Sequence, residues 1–174
     1  ALITTPGAAK WYRSSGAWAR QRTAIDVAAG AWLEWLPQET ILYDASRADI
    51  GWCARLAGDA RLIAWDIACL GRTASGEGYE RAQGRIESRV LRDGRPLFVE
   101  RAHLHANDTV LASPAGLGSS PVFGTLIASS PELAPKLVEA CREERPAAGQ
   151  GAVTMLPGVL RTFAEISGLN MVID

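Results

Sequence analysis

The chain contains two histidines, and they stand two residues apart in His103-Leu104-His105. On a strand that spacing presents both imidazoles on one face, where they can begin a site for a divalent metal. A closed site needs at least one more ligand, and a carboxylate would supply it. The chemistry would then be that of a small metal-dependent hydrolase; the plainer reading is an incidental pair. The acids within the apolar stretches are few. Asp66 is the one acid in the run Arg-Leu-Ile-Ala-Trp-Asp-Ile-Ala-Cys-Leu, residues 61–70. Glu34 and Glu39 interrupt the aromatic stretch Gly30–Leu42. Lys10, Tyr12 and Arg13, with Trp11 between them, have the cations and rings to hold an anion or a base; the same residues also suit a strand with snorkelling cations. Trp35 is a further aromatic candidate for binding.

Composition removes several classes. The 174 residues suffice for one domain with a real core, and with 21% charged and 48% hydrophobic residues the chain is not of the disordered class. The formal net charge of -1 gives no footprint for nucleic acid. Cys53, Cys69 and Cys141 form neither a disulfide framework nor a Cys-x-x-Cys metal pair, which fits reduced thiols in a cytoplasmic protein. No apolar run is long enough to span a membrane, and the opening residues do not read as a signal peptide. The glycine-rich segment Gly71–Gly78 lacks the Gly-Lys-Ser/Thr ending of a phosphate-binding loop and reads as a connector.

The elements that must position these residues are mostly strands. Ala1–Thr5, Gln21–Ala28, Gly51–Leu56 and Val122–Ser129 read as strands, and Asp44–Asp49 as a turn. In Gly30–Leu42, Trp32, Glu34 and Leu36 alternate with Leu33 and Trp35, and two largely apolar faces predict contact with protein on both sides. Pro37 should interrupt that strand. Residues 61–70 fit a buried strand or a short helix, and periodicity does not choose. Ala106–Pro121 reads as loop. A helix is expected over about 131–145, delayed by Pro135, with Leu133, Leu137, Val138 and Cys141 on one face. Gly149–Asp174 fits either strand or amphipathic helix.

Gly84–Leu104 is the clearest local unit, a hairpin closed at Asp93-Gly94. A plain two-residue turn there pairs Arg92 with Arg95, Val90 with Leu97, Ser88 with Val99 and Glu87 with Glu100. Two bare carboxylates would then oppose each other. Arg89 or Arg101 must shield them, or one glutamate takes a proton or a cation.

Several passages together resemble the urease accessory protein UreD family, called UreH in some bacteria. They are Thr5-Pro6-Gly7-Ala8-Ala9-Lys10-Trp11-Tyr12-Arg13-Ser14, Leu33-Glu34-Trp35-Leu36-Pro37-Gln38-Glu39, and Leu62-Ile63-Ala64-Trp65-Asp66 with Leu70-Gly71-Arg72 and Gly76-Glu77. Gly94-Arg95-Pro96-Leu97, Val99-Glu100-Arg101 and Gly124-Thr125-Leu126 extend the match to about residue 130. The resemblance implies a mainly β protein, a right-handed superhelical layered β arrangement with one or two α-helices. It implies no enzymatic turnover and no tightly bound cofactor. Its implied partners are UreF, the GTPase UreG and apo-urease, with no nucleic acid and no membrane, and its cargo is a nickel ion in transit through an internal route.

On the matching positions, Asp66 and Glu100 become candidate transient contacts for that ion, with Glu34 and Glu39 as further contributors. Weak successive contacts suit a passing divalent cation better than tight ligation. The structural alternatives are an Asp66–Arg72 pair and a Glu100 pair with Arg101 or Arg89. The Pro-Gly-Gly and Gly-Gly-Asp motifs of the family's N-terminal portion and its Pro-Arg-Ile-Trp-like ending are not found in this sequence. The expectation is one β-rich domain over residues 1–174, the central part of a UreD-like protein. On its own it should expose strand edges, associate readily and be weakly stable; a non-functional structural remnant is the other outcome.

Overall fold

The structure is a computed structural model that describes residues 1–144 and 148–166. In chain order the strands are β1 (Leu2–Ile3), β2 (Ala9–Trp11), β3 (Ala19–Val27), β4 (Trp32–Trp35), β5 (Thr40–Leu42), β6 (Arg47–Leu56) and β7 (Arg61–Leu70). They continue with β8 (Gln83–Arg92), β9 (Arg95–His105), β10 (Val122–Ser129), β11 (Gln150–Leu156) and β12 (Val159–Ile166). Two helices complete the described residues, α1 (Thr109–Ala112) and α2 (Lys136–Glu143). The protein is mainly β, as expected.

The strands form two sheets. The larger runs β1-β4-β7-β10-β12-β11, with the β2–β5 pair also joined to β7; the smaller runs β3-β6-β8-β9. The chain passes back and forth between them. β3 and β6 are parallel neighbours, yet β4 and β5 of the other sheet separate them in sequence; β6 and β8 are likewise separated by β7. Parallel strands require a crossover, and here strands of the opposite sheet provide it.

That path explains residues 61–70. β7 is hydrogen-bonded along one edge to β4 and then β5, and along the other to β10. A strand enclosed this way reads as a nearly continuous apolar run, which decides between strand and helix. Its even-numbered residues face the smaller sheet. Leu62 and Ala64 join Ala54, Leu56, Val90, Phe98, Ile127 and Val159 in the main core between the layers. Alternation in β8 and β9 supplies the matching face.

Several local expectations are corrected. Pro37 does separate β4 from β5, but only one face of β4 is closed: Leu33 is buried and Trp35 packs on the core, whereas Trp32 is 52% exposed. The turn at Asp44–Asp49 is shorter than the polar composition suggests. Ala45 takes a left-handed φ of 58°, and the strand already begins at Arg47. The connector at 71–78 contains a 3-10 turn over Thr73–Ser75, and the segment 106–121 contains α1, capped by the Asp108 carboxylate accepting from the Val110 N–H. α2 begins only after Pro135 and has no buried residue, with Leu137 40% exposed. Arg145, at the end of the expected helix, lies outside the described residues. Within the described part of the tail, β11 and β12 form a hairpin joined at Pro157-Gly158, with Gly158 at φ 75°; residues 167–174 lie outside the described residues.

The Asp93-Gly94 turn forms, both residues having positive φ, and Arg92 pairs with Arg95. The expected opposition of Glu87 and Glu100 does not. Leu91 pairs with Pro96 but Val90 with Phe98, so Leu97 is an extra residue on β9. This β-bulge moves the rest of the register by one. Glu87 faces Arg101, whose Nε donates to it at 2.7 Å, and Ser88 faces Glu100. A one-residue slip exchanges the faces of a strand, so the bulge turns Glu100 from the outer surface towards the opposite sheet.

Candidate functional site

Two cross-strand rows face each other between the sheets. In the smaller sheet, register aligns Thr23, Trp52, Ser88 and Glu100 across β3, β6, β8 and β9. In the larger, it aligns Asp66, Thr125 and Phe163 across β7, β10 and β12. Each row contributes one carboxylate, and each carboxylate is bonded by side chains of the opposite sheet. Asp66 Oδ2 accepts from the Trp52 indole N–H and from the Ser88 hydroxyl, the latter at 2.5 Å. Glu100 Oε2 accepts from the Thr125 hydroxyl at 2.9 Å, and its Oε1 from the Arg161 guanidinium.

Their electrostatics differ. Burial pushes the Asp66 carboxyl up to about 6; the Ser88 and Trp52 hydrogen bonds oppose this and the charge of Glu100 adds to it. Asp66 is a partly buried carboxyl held by two donors and, among the described residues, by no cation. Glu100 has a cationic partner, and its side chain is 29% exposed. Both acids line one cavity of about 520 Å³, whose wall includes Ser88, Thr125, Arg161 and Phe163. The donors are hydroxyl and carboxylate oxygens, the set that suits a hard or intermediate divalent cation. Among the described residues no group of three His, Cys, Asp or Glu is arranged to enclose a metal.

The other predicted residues fall elsewhere. His103 and His105 are exposed and occupy the face of β9 opposite Glu100; His103 borders the rim of the cavity and His105 does not line it. The convergence a hydrolase needs is therefore absent among the described residues. Asp66 does not pair with Arg72, which bonds Glu77 and lies 4.6 Å from the Tyr43 ring centroid. Glu100 pairs with neither Arg101 nor Arg89 but with Arg161. Glu34 and Glu39 do not line the cavity. Glu39 lies near Cys69, whose thiol is raised to about 12, first by burial and then by that charge. Lys10, Tyr12 and Arg13 meet along one surface groove of about 640 Å³; Trp35 is not part of it and packs against the core.

Sequence reasoning missed Trp52, Ser88, Thr125 and Arg161. Ser88 carried a visible signal, a lone hydroxyl in the alternation Ile86, Ser88, Val90. Thr125 lay inside a motif already quoted for the resemblance. Arg161 had no signal, because its position follows only once the tail pairs with β10.

Fold and site together define a two-sheet β protein with a largely apolar cavity between its layers, into which two carboxylates and two hydroxyls are set. The profile of the UreD urease accessory protein family matches residues 1–165, and the chain belongs to that family. It is 50% identical over 164 residues to the urease accessory protein UreD of Dechloromonas aromatica (strain RCB), covering 92% of this chain and 57% of that relative. The UreD proteins of Azoarcus sp. (strain BH72) and Pseudomonas fluorescens Pf-5 are 44% and 47% identical, each again over 92% of this chain and 56% of theirs. The chain thus spans little more than half the length of these relatives.

Proposed function

We propose that the chain acts in urease maturation as a nickel-delivery scaffold, docking an assembly of UreF and UreG on apo-urease and letting nickel pass through the cavity between its sheets. The observation that carries this reading is the pair Asp66 and Glu100 on opposite walls of that cavity, within a family whose members are urease accessory proteins. Two carboxylates and two hydroxyls can replace part of a divalent ion's hydration shell. Without a closed set of three or four ligands they would hold it briefly, as delivery requires. The scaffold turns over no small molecule, and nickel is cargo rather than a resident cofactor. The place of action is the cytoplasm, which suits three unbridged cysteines; no helix among the described residues is long and apolar enough to cross a membrane.

The test is a pull-down with the tagged chain against UreF-type protein and apo-urease, followed by nickel-dependent urease activation. Recovery of both partners, with activation reduced by Asp66→Asn or Glu100→Gln, is expected. Recovery of neither partner would overturn the reading.

A further inference from the structure

We infer that Arg161 is a displaceable counter-ion of the interior cavity: its guanidinium holds Glu100 in place of a divalent cation and must swing away before one can be accepted. The inference rests on the nickel-passage reading above and adds a gate to it.

The geometry of this ion pair differs from that of the two most buried paired carboxylates, Asp44 and Asp49. Asp44 is held by two guanidinium contacts from Arg81, at 2.9 and 2.5 Å, and by the backbone N–H groups of Glu80 and Arg81. Asp49 is gripped by Arg20 and by Arg22, and Arg22 also donates to the Asp49 carbonyl at 2.7 Å. Those arrangements fix both partners. Arg161 meets Glu100 through a single Nη2–Oε1 contact. Its Nε is buried with no hydrogen-bond partner among the described residues. A guanidinium supplies five donors in a rigid fork, and one used singly with a buried N–H unsatisfied is poorly anchored. Its side chain is 26% exposed, which leaves a way out, and its Cζ lies 5.4 Å from the Phe163 ring centroid, so the ring can carry part of the charge as it moves.

Charge makes the exchange favourable in one direction. With Asp66 and Glu100 ionised, the trio of Asp66, Glu100 and Arg161 carries net -1, Arg101 on the same lining being paired with Glu87; a divalent ion in place of Arg161 brings the two carboxylates to zero. The displaced guanidinium moves towards solvent, where its charge is cheaply hydrated. The freed Oε1 of Glu100 then joins Asp66 and the Thr125 and Ser88 hydroxyls as oxygen donors. No bond is made or broken beyond the ion pair and the metal contacts. Asp66, already bonded to two donors, is the next contact, on the facing wall, and not the point of entry.

The experiment is Ni²⁺ binding to the whole chain by equilibrium dialysis, comparing the parent, Arg161→Gln, Arg161→Lys, Glu100→Gln and the Arg161→Gln/Glu100→Gln double variant. Arg161→Gln should bind Ni²⁺ about tenfold more tightly, since a positive charge is removed beside the ion in a partly buried site. Arg161→Lys keeps the charge on a compact ammonium lacking the guanidinium fork, and should gain about threefold. A merely structural arginine would give lower stability and no gain in affinity. No gain in Arg161→Gln, while Glu100→Gln still lowers binding, overturns the gate and leaves the passage reading standing. Binding untouched by Glu100→Gln in both backgrounds overturns the passage reading itself. If Arg161→Gln does not fold, Arg161→Lys decides, and binding equal to the parent overturns the gate.

Discussion

Asp66 and Glu100 exchange hydrogen-bond donors across the layers: the hydroxyl of Ser88, on the sheet that carries Glu100, bonds Asp66, and the hydroxyl of Thr125, on the sheet that carries Asp66, bonds Glu100. Each row therefore supplies donors to the acid of the other, both acids being partly buried. A buried polar group without a partner costs free energy, so these bonds also fix how the sheets are placed.

Asp66 should make the fold sensitive to pH in the direction opposite to a salt-bridged acid. Its folded pKa of about 6 lies above the ordinary 3.8. Between those values the folded chain binds a proton that the unfolded chain has released, so stability falls as pH rises from 3.8 to 6 and then levels. The full effect is on the order of 3 kcal/mol. Asp66→Asn keeps an oxygen for both donors and should remove the dependence. Urea midpoints at pH 5 and 7.5 check this; a parent protein more stable at the higher pH, relative to Asp66→Asn, would count against it.

Ser88→Ala should cost about 1–3 kcal/mol near neutral pH, because it leaves a buried carboxylate with one donor fewer. The loss should shrink below pH 5, where Asp66 is protonated. Denaturant titration of the variant at both pH values reads the difference.

Deleting Leu97 should return the hairpin to the unbulged register and place Glu87 against Glu100. Glu100 would face outward, away from Thr125 and Arg161. The expected results are a loss of several kcal/mol and faster amide exchange over residues 98–105. Leu97→Ala retains the bulge and should change exchange there little.

Asp44 gives the complementary pH test. Burial pushes its carboxyl up, but the Arg81 side chain and the backbone N–H groups of Arg81, Glu80 and Ala45 outweigh that and hold it at about 2. The stabilisation is present above 3.8 and is lost as pH falls towards 2. Asp44→Asn should cost on the order of 2 kcal/mol at pH 7 and little at pH 2, measured by thermal unfolding.

What the sequence disclosed depended on how local the cause was. Val122–Ser129 could be read residue for residue, since its pattern and flanks are local. The Asp93-Gly94 turn was legible for the same reason. The bulge was not: a turn signal fixes where a hairpin closes but not whether a residue later loops out, and Leu97 has nothing unusual about it. The visible symptom was the conflict between Glu87 and Glu100, which the bulge resolves. Asp66 was legible as an acid in an apolar run, but its donors come from strands 14 and 22 residues away. Arg161 reaches Glu100 across 61 residues, a separation at which one sequence carries no pairing information. Trp32 shows the reverse error: an apolar face predicts burial, while exposure depends on which strand lies over it.

The back-and-forth path of the chain has a consequence for dividing the protein. β7 sits between two consecutive members of the smaller sheet, β6 and β8, while itself joining β4 and β5 to β10. A break in the chain after β7 would separate β6 from β8 in one sheet and β7 from β10 in the other. Both layers would lose an interior ladder at one stroke. Neither sheet can be expressed as a piece, and two halves meeting at residue 71 would have to rebuild both layers and the shared acid cavity together or not at all.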